Sequence, residues 1–252
     1  MDYSQILSQQ FNIKEEYAKN IITLLDDGNT IPFIARYRKE MHGSMDDQLI
    51  REFAEKLEYL RGLDKRRDEI RSLIDAQEKL TDEINLALDK AATLSELEDI
   101  YRPYRPKKKT RASIAKEKGL EPLANDILKQ EKGFDPSKSA VDYIDEENGV
   151  TSVEDAIQGA MDIIAELVSD NAEIRKRIRN LTNANGVLVS VATDEEKDSV
   201  YKNYYDYKEP VKKIAGHRVL AVNRGEKEGF LKVSVETDSE KPLNSIFRAM
   251  IT

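Results

Sequence analysis

Cysteine and tryptophan are absent from this 252-residue sequence, and histidine occurs only at His42 and His217. A chain without cysteine has neither a disulfide framework nor thiolate chemistry, which fits a reducing compartment. Two histidines without cysteine exclude a zinc site built from histidine and thiolate ligands. We therefore expect no metal, a solvated or capping role for His42, and a buried hydrogen-bonding role for His217.

Glycine-rich phosphate loops are also missing, because Gly28, Gly43 and Gly62 stand alone in the sequence. Carboxylate pairs such as Asp46 and Asp47 are expected from composition, since charged residues make up 35% of the chain. No nucleophile lies at a spacing that nominates a base beside it. We therefore expect a protein that is not an enzyme and needs no cofactor.

Long apolar segments are missing as well. No apolar run approaches the roughly 20 residues of a membrane span, and residues 1–11 lack the basic and apolar regions of a signal peptide. We expect no membrane partner and a cytoplasmic location. A charged fraction of 35% with only 7% aromatic residues is typical of a helix-rich protein with solvated faces.

Apolar residues recur at helical spacing over most of residues 2–184. A long helix is expected to begin at Ser44 as its cap and to run to about residue 77. In a shorter helix after Thr30, Phe33, Ile34 and Tyr37 are expected to pack inward, while Arg36, Arg38 and Lys39 face solvent. Further helices are expected over residues 2–11, 14–26, 82–92, 95–101, 111–118, 121–129, 137–148, 171–184, 210–222 and 239–252. Another follows the capping box at residues 151–154, with Met161 in its core face.

The composition changes after Gly186, where residues 187–191 and 230–235 are rich in β-branched side chains and predict strands. Four tyrosines between them fit either stacking on bases or packing of a small subdomain. The predicted fold is mostly α and elongated, with a small α/β portion near the C-terminus. We divide it into residues 1–94, 95–185 and 186–252.

Residues 101–118, the basic segment, hold eight lysines and arginines against one glutamate, in a chain with a formal net charge of −8. Like charges this close repel, so they need either acidic helices of the same chain or an external polyanion. Arg175, Lys176, Arg177 and Arg179 form a second cationic patch that has the same two alternatives.

The local residue order in the basic segment gives it a structure. Pro103 and Pro106 predict an extended bridge over YRPYRP. Thr110 is suited to cap a helix over residues 111–118, which Gly119 ends, and Pro122 suits the first turn of the next helix. A helix, a glycine turn and a helix together form a helix-turn-helix-like element, which many structural hairpins share.

The basic segment resembles part of the N-terminal region of the Tex family, bacterial transcription-accessory proteins related to a eukaryotic transcription-elongation factor. Four more stretches are similar to the same family: TIPFIARYRKE (residues 30–40), LEDIY (97–101), GVTSVEDAIQGAMDIIAE (149–166) and HRVLAVNRGE (217–226). Proteins of this family are much longer than this chain. The resemblance therefore implies a fragment whose RNase-H-like, helix-hairpin-helix and S1 modules would follow residue 252.

The resemblance implies nucleic-acid binding, RNA or DNA, that is weak in this chain because the S1 module is the expected principal reader. The alternative is a helical scaffold that positions the downstream domains or meets the transcription machinery. A nuclease would need the RNase-H-like module. The cations nominated for nucleic-acid contact are Arg102, Arg105, Lys107, Lys108, Lys109, Arg111, Arg175, Lys176 and Arg179.

Overall fold

A computed structural model describes residues 2–251 and divides the chain into two compact units, which meet in sequence between Tyr104 and Arg105. The first unit contains α1 (Tyr3–Phe11), α2 (Glu15–Asp26), α3 (Ile31–Tyr37), α4 (Lys39–His42), α5 (Asp47–Asp75), α6 (Asp82–Lys90), α7 (Leu94–Tyr101) and a 3₁₀ turn (Arg102–Tyr104).

The second unit is also largely helical and contains the three β-strands found within residues 2–251. Its elements are α8 (Arg111–Glu117), α9 (Glu121–Lys129), α10 (Pro136–Ala140), α11 (Val153–Asp170), α12 (Ala172–Asn185), β1 (Val187–Ala192), β2 (Asp206–Pro210), α13 (Gly216–Lys227), β3 (Leu231–Glu236) and α14 (Glu240–Met250). Short 3₁₀ turns cover Val141–Tyr143 and Lys202–Tyr204. The mostly α fold with a small α/β portion is therefore confirmed.

Helix α5 is the spine of the first unit. Its 29 residues span roughly 43 Å at 1.5 Å per residue. Its buried positions recur every three or four residues, so one stripe faces the core along its whole length. The N-terminal half packs with α1, α2 and α3 around Phe53, and the C-terminal half packs with α6 and α7 around Ile70.

Arg67 is the buried cation of this spine, with 5% of its surface exposed. Its Nε donates to the Leu88 carbonyl at 2.8 Å and its Nη2 to the Ala91 carbonyl at 2.9 Å, so it caps the end of α6. Its Nη1 also donates to Asp64. Burial alone would raise the pKa of Asp64, but the hydrogen bond from Tyr3 and the charge of Arg67 hold that pKa below its ordinary value.

Two predicted features around α3 and α5 are wrong. The cap of α5 is Asp46, whose carboxylate accepts from the Leu49 N–H at 2.8 Å, whereas Ser44 has a positive φ and continues the turn that Gly43 begins. Tyr37 does not pack inward: Ile34 is the fully buried residue of α3, Ile31 and Ala35 are partly buried beside it, and Tyr37 is 64% exposed.

The two histidines have exchanged their expected environments. His42 is fully buried, and its Nε2 lies 3.1 Å from the Ile34 carbonyl, so it is not a solvated residue. His217 is exposed in the first turn of α13, so the expected buried role is wrong. The turn at Gly43 explains the first error, since it folds the end of α4 back against Tyr17 and the core.

Helix α11 is the centre of the second unit and packs against α8 and α9. Gly159 lets α8 and the turn after it approach closely: a Cβ at this position would lie 2.3 Å from Leu120 Cδ1 and 3.3 Å from Ala115 Cβ. The core face of α11 is formed by Ala156, Ala160 and Ile163. Met161 lies off this face and is 54% exposed, so its predicted core role is wrong.

The region before α11 also differs from the prediction. Residues 137–148 do not form one helix: α10 ends at Ala140, and an isolated antiparallel bridge joins Asp145 and Val150. The cap of α11 is Ser152, which accepts from the Asp155 N–H at 3.1 Å. The expected capping box was therefore placed one residue early.

The three strands form an antiparallel sheet in the order β2-β1-β3, in which Ser190 of β1 faces Tyr207 of β2 and Val233 of β3. Strand β2 was missed because three of its five residues are charged and it ends at Pro210. Consequently the helix expected from residue 210 begins only at Gly216.

Packing explains much of the tyrosine cluster. Tyr201 is 6% exposed and lies 5.8 Å from Phe230 between ring centroids. Gly225 inside α13 admits both Tyr201 and Leu231, which would lie 3.0 and 2.6 Å from a Cβ there. Tyr204 packs edge to face against Tyr207, with ring centroids 5.2 Å apart.

None of the helices described is long and apolar enough to cross a bilayer.

Candidate nucleic-acid interface

The YRPYRP sequence begins as a continuation of α7, so the predicted extended bridge is wrong in its first half. Arg102 has helical angles (φ −52°, ψ −43°), and its N–H donates to the Glu98 carbonyl. Pro103 disfavours this backbone conformation in the preceding residue without forbidding it. The Gln77 amide donates to the Tyr104 carbonyl at 2.9 Å and holds the turn on the first unit. Arg102 therefore belongs to the first unit, and Arg105 begins the second.

Lys107 is an internal clamp of the second unit. Its Nζ pairs with Asp170, which is the last residue of α11, and lies 3.3 Å from Glu166 one turn earlier. The Asp170 side chain is only 10% exposed. This ion pair fixes residues 105–110, which we call the basic loop, to α11 and uses the charge of Lys107 within the chain.

Thr110 makes the second connection between the loop and α11. Its hydroxyl donates to Glu166 at 3.0 Å and accepts from the Ser113 N–H at 3.0 Å, while the Ser113 hydroxyl accepts from the Thr110 N–H at 2.8 Å. This reciprocal pair is a capping box that starts α8, so the predicted cap is confirmed.

The other cations at this position face solvent. The Arg111 side chain is 85% exposed and lies 3.8 Å from Asp162. Lys109 pairs with Glu117 at 3.3 Å, and both side chains are more than 60% exposed. Lys108 is exposed and has no carboxylate partner among residues 2–251. Exposed pairs of this kind contribute about 0–1 kcal/mol, so they leave the cations available to another anion.

Helix α12 starts at the C-terminal end of α11, where Lys107 pairs with Asp170. Asn171 caps it by accepting from the Ile174 N–H at 3.0 Å, and the Arg175 guanidinium donates to the Ser169 carbonyl at 3.3 Å. Because Lys107 pairs with the neighbouring Asp170, the structure brings the basic loop and the first turn of α12 to one corner. The two cationic patches predicted in residues 105–252 are therefore adjacent there.

The cations of α12 point in two directions. Arg175 and Arg179 line a groove of about 510 Å³ that also contains Ile178 and Ile246. Arg177 lines a separate groove of about 670 Å³ whose other cations are Lys241 and Arg248 of α14. Lys176 is exposed. Lys241 and Arg248 were missed because nothing in the sequence pairs α14 with α12.

The helix–glycine–helix outline is present as predicted. Gly119 has φ +80° between α8 and α9, and Pro122 lies in the first turn of α9. Leu120 and Leu123 are fully buried against α11, which any structural hairpin requires. Its use as a groove-reading helix-turn-helix stays a prediction.

The described residues show a few polar clusters of other kinds. Tyr207 donates to Glu209, and Arg218 donates to both Glu209 oxygens at 2.9 and 3.0 Å. These bonds, first from Tyr207 and then from Arg218, lower the pKa of Glu209, so it is held as a carboxylate in an ion pair. Within residues 2–251 no group of three or more histidines and carboxylates is placed to hold a metal ion.

Family models match both ends of the chain: the Tex-like protein N-terminal domain over residues 1–75 and the Tex central region over residues 131–252. An uncharacterized Bacillus subtilis protein, YdcI, is 44% identical over 95% of this chain and 34% of its own length. The transcriptional accessory protein Tex of Neisseria gonorrhoeae is 38% identical over 94% of the chain and 31% of its own length.

A human protein, S1 RNA-binding domain-containing protein 1, is 31% identical over 93% of this chain and 24% of its own length. The chain thus spans about a third or less of the curated relatives named here. Its similarity begins with the N-terminal domain and extends through the central region without a change of order. The chain belongs to the Tex family of transcription accessory proteins.

Proposed function

We propose that this chain makes a weak, charge-based contact with the phosphate backbone of nucleic acid through Lys108, Lys109 and Arg111. The observation that carries the proposal is that the cations of the basic segment differ in their surroundings. Lys107 is clamped to Asp170, while the three cations beside it project into solvent. A loop fixed at one end by an internal pair holds its outward charges in place, which lowers the entropy cost of binding a polyanion.

The relatives are consistent with this assignment. One is named as a transcriptional accessory protein and another as containing an S1 RNA-binding domain. Phosphate contacts position a protein on nucleic acid without reading sequence, so the contact should serve RNA and DNA alike. Arg105, Arg175, Lys176 and Arg179 lie in the same unit and would extend the positive surface.

The first test removes the outward charges. In the variant Lys108→Gln/Lys109→Gln/Arg111→Gln, we expect affinity for a single-stranded oligonucleotide to fall about tenfold or more at low salt. The slope of log affinity against log salt should decrease by about 0.7 for each lost phosphate contact, and by about 0.9 on duplex DNA. The melting temperature should barely change, because these side chains are exposed. Fluorescence anisotropy at several salt concentrations measures both quantities.

A charge-matched control separates this site from the effect of net charge. It replaces three other exposed lysines of the same unit, each paired only with a nearby acid: Lys129, Lys138 and Lys202. Both triple variants lower the formal charge by three. Equal losses of affinity in the two variants would contradict a site at the loop.

The second test addresses the clamp. We expect Lys107→Gln to lower the free energy of unfolding by about 1–2 kcal/mol, because it removes the lysine from two carboxylates of which one is nearly buried. The double variant Lys107→Gln/Asp170→Asn should regain part of that loss, and a double-mutant cycle by urea denaturation measures the coupling. A clamp is excluded if the two substitutions are simply additive.

The alternative function is a helical scaffold that positions the downstream domains. It is favoured by α14, where Leu243 and Phe247 are each more than half exposed while Ile246 faces the groove beside α12. Under this alternative the triple glutamine variant would bind nucleic acid as the native chain does. Unchanged affinity and salt slope would therefore favour the scaffold. The chain is expected not to be an enzyme under either function.

A further inference from the structure

A second surface of the chain combines cations with an exposed aromatic ring. It lies in the first unit, where α3 ends and α4 begins, and it consists of Phe33, Arg36, Tyr37, Arg38 and Lys39. The first unit has 15 lysines and arginines against 22 aspartates and glutamates, so three cations within four residues contrast with their surroundings. We call these five residues the α3 patch.

The rings and the guanidinium of the α3 patch are arranged for stacking. Phe33 and Tyr37 are one turn apart on α3, with ring centroids 5.4 Å apart. The Arg38 guanidinium lies 5.1 Å from the centre of the Phe33 ring, and its Nη1 donates to the Tyr37 carbonyl at 3.1 Å. Arg38 is therefore held in place, whereas Tyr37 is 64% exposed and presents its ring to solvent.

The remaining cations of the patch are not used within the chain. Arg36 and Lys39 are exposed, and neither has a carboxylate within ion-pair distance in the described part of the chain. The contact with Phe33 leaves Tyr37 64% exposed, so packing alone does not explain a tyrosine at this position. Proteins that bind single-stranded nucleic acid stack bases on exposed aromatic rings and hold the phosphates with nearby cations. The α3 patch offers both kinds of group.

We infer that the α3 patch binds single-stranded nucleic acid, with one base stacked on Tyr37 and the adjoining phosphates facing Arg36 and Lys39. The inference adds a second contact to the proposed function, on a different unit and with a different chemistry. The basic loop would bind phosphates of either single strands or duplexes. The α3 patch needs an unpaired base, so it would favour single strands.

The experiment uses the whole chain, a fluorescent oligothymidine and an abasic strand of the same length, which has the same phosphates but no bases. For Tyr37→Ala we expect affinity for oligothymidine to fall about five- to tenfold, with no change on the abasic strand and no change in salt slope. Tyr37→Phe keeps the stacking face and should bind as the native chain does. Tyr59→Ala is the matched control, since Tyr59 is also exposed on the first unit with Lys56 4.9 Å from its ring centre.

The outcomes separate this inference from the proposed function. If the loop variant retains affinity and Tyr37→Ala loses it, the α3 patch stands and the loop contact fails. If Tyr37→Ala binds oligothymidine as tightly as the native chain or the Tyr59→Ala control does, the inference is overturned. Equal losses on the oligothymidine and abasic strands would overturn it too, because stacking requires a base. Preference for an acidic peptide over oligothymidine, lost in Tyr37→Ala, would assign the patch to a protein partner instead.

Discussion

Replacing Arg67 by alanine should lower the free energy of unfolding by about 3 kcal/mol or more. The guanidinium is buried and donates to the Leu88 and Ala91 carbonyls and to Asp64. Its removal leaves two carbonyls at the end of α6 without this donor and takes the guanidinium away from Asp64, which keeps its hydrogen bond from Tyr3. Breaking a buried pair typically costs about 3–5 kcal/mol. Urea denaturation followed by circular dichroism measures the change.

The matched control lies one turn further along α5. Arg71 pairs with Asp68 and Asp89 at 2.7 Å each, but both carboxylates are exposed. Arg71→Ala should therefore cost less than about 1 kcal/mol. Similar losses for the two variants would show that Arg67 acts as an ordinary surface cation.

The pH dependence gives the Arg67 prediction a second readout. The folded-state pKa of Asp64 is lowered from 3.8, so its contribution to stability is present above that pH and is lost as the pH falls further. Arg67 contributes to this lowering. The stability gap between native chain and Arg67→Ala should therefore narrow below about pH 4.

Gly159→Ala should destabilise the second unit, although alanine is the better helix former. Its Cβ would lie 2.3 Å from Leu120 Cδ1 and 3.3 Å from Ala115 Cβ, so α8 and the turn that follows it must move away from α11. Overpacking costs about 1–3 kcal/mol, and a 2.3 Å approach to the buried Leu120 places this site in the upper part of that range. That cost exceeds the roughly 1 kcal/mol that alanine gains over glycine within a helix. Thermal and urea denaturation should both show the loss.

Gly62→Ala is the control with the opposite sign. Gly62 lies in the middle of α5, and no heavy atom would be within 4 Å of its added Cβ. Only the propensity gain remains there, so this variant should be more stable by up to about 1 kcal/mol. A destabilised Gly62→Ala, or a stabilised Gly159→Ala, would contradict the packing described for these two helices.

Local sequence signals predicted much of the fold because they act over a few residues. The spacing along α5, the cap at Thr110 and the glycine at 119 each depend on neighbours within one or two turns, and the structure confirms all three. Strand β2 was missed because its charged residues hide the alternation, and the sheet that stabilises it is formed with distant residues.

The candidate site was predictable in composition but not in geometry. The sequence nominates six of the eight cations of the basic segment without ranking them, and it offers them two alternatives, internal acids or an external polyanion. In the structure Lys107 pairs with an internal acid, Asp170 of α11. The two residues are 63 positions apart, so the sequence does not show that they meet. Lys108 and Arg111 remain exposed. Such pairing depends on tertiary structure, which no local pattern encodes.

The continuous stripe of buried residues along α5 fixes the spacing and the relative orientation of the two cores of the first unit. Each residue added to an α-helix turns everything after it by about 100° and shifts it by 1.5 Å. A single insertion between Phe53 and Ile70 would therefore rotate one of the two cores away from its partner helices. Changes of chain length should be tolerated in the connection between α5 and α6, and not within α5 itself.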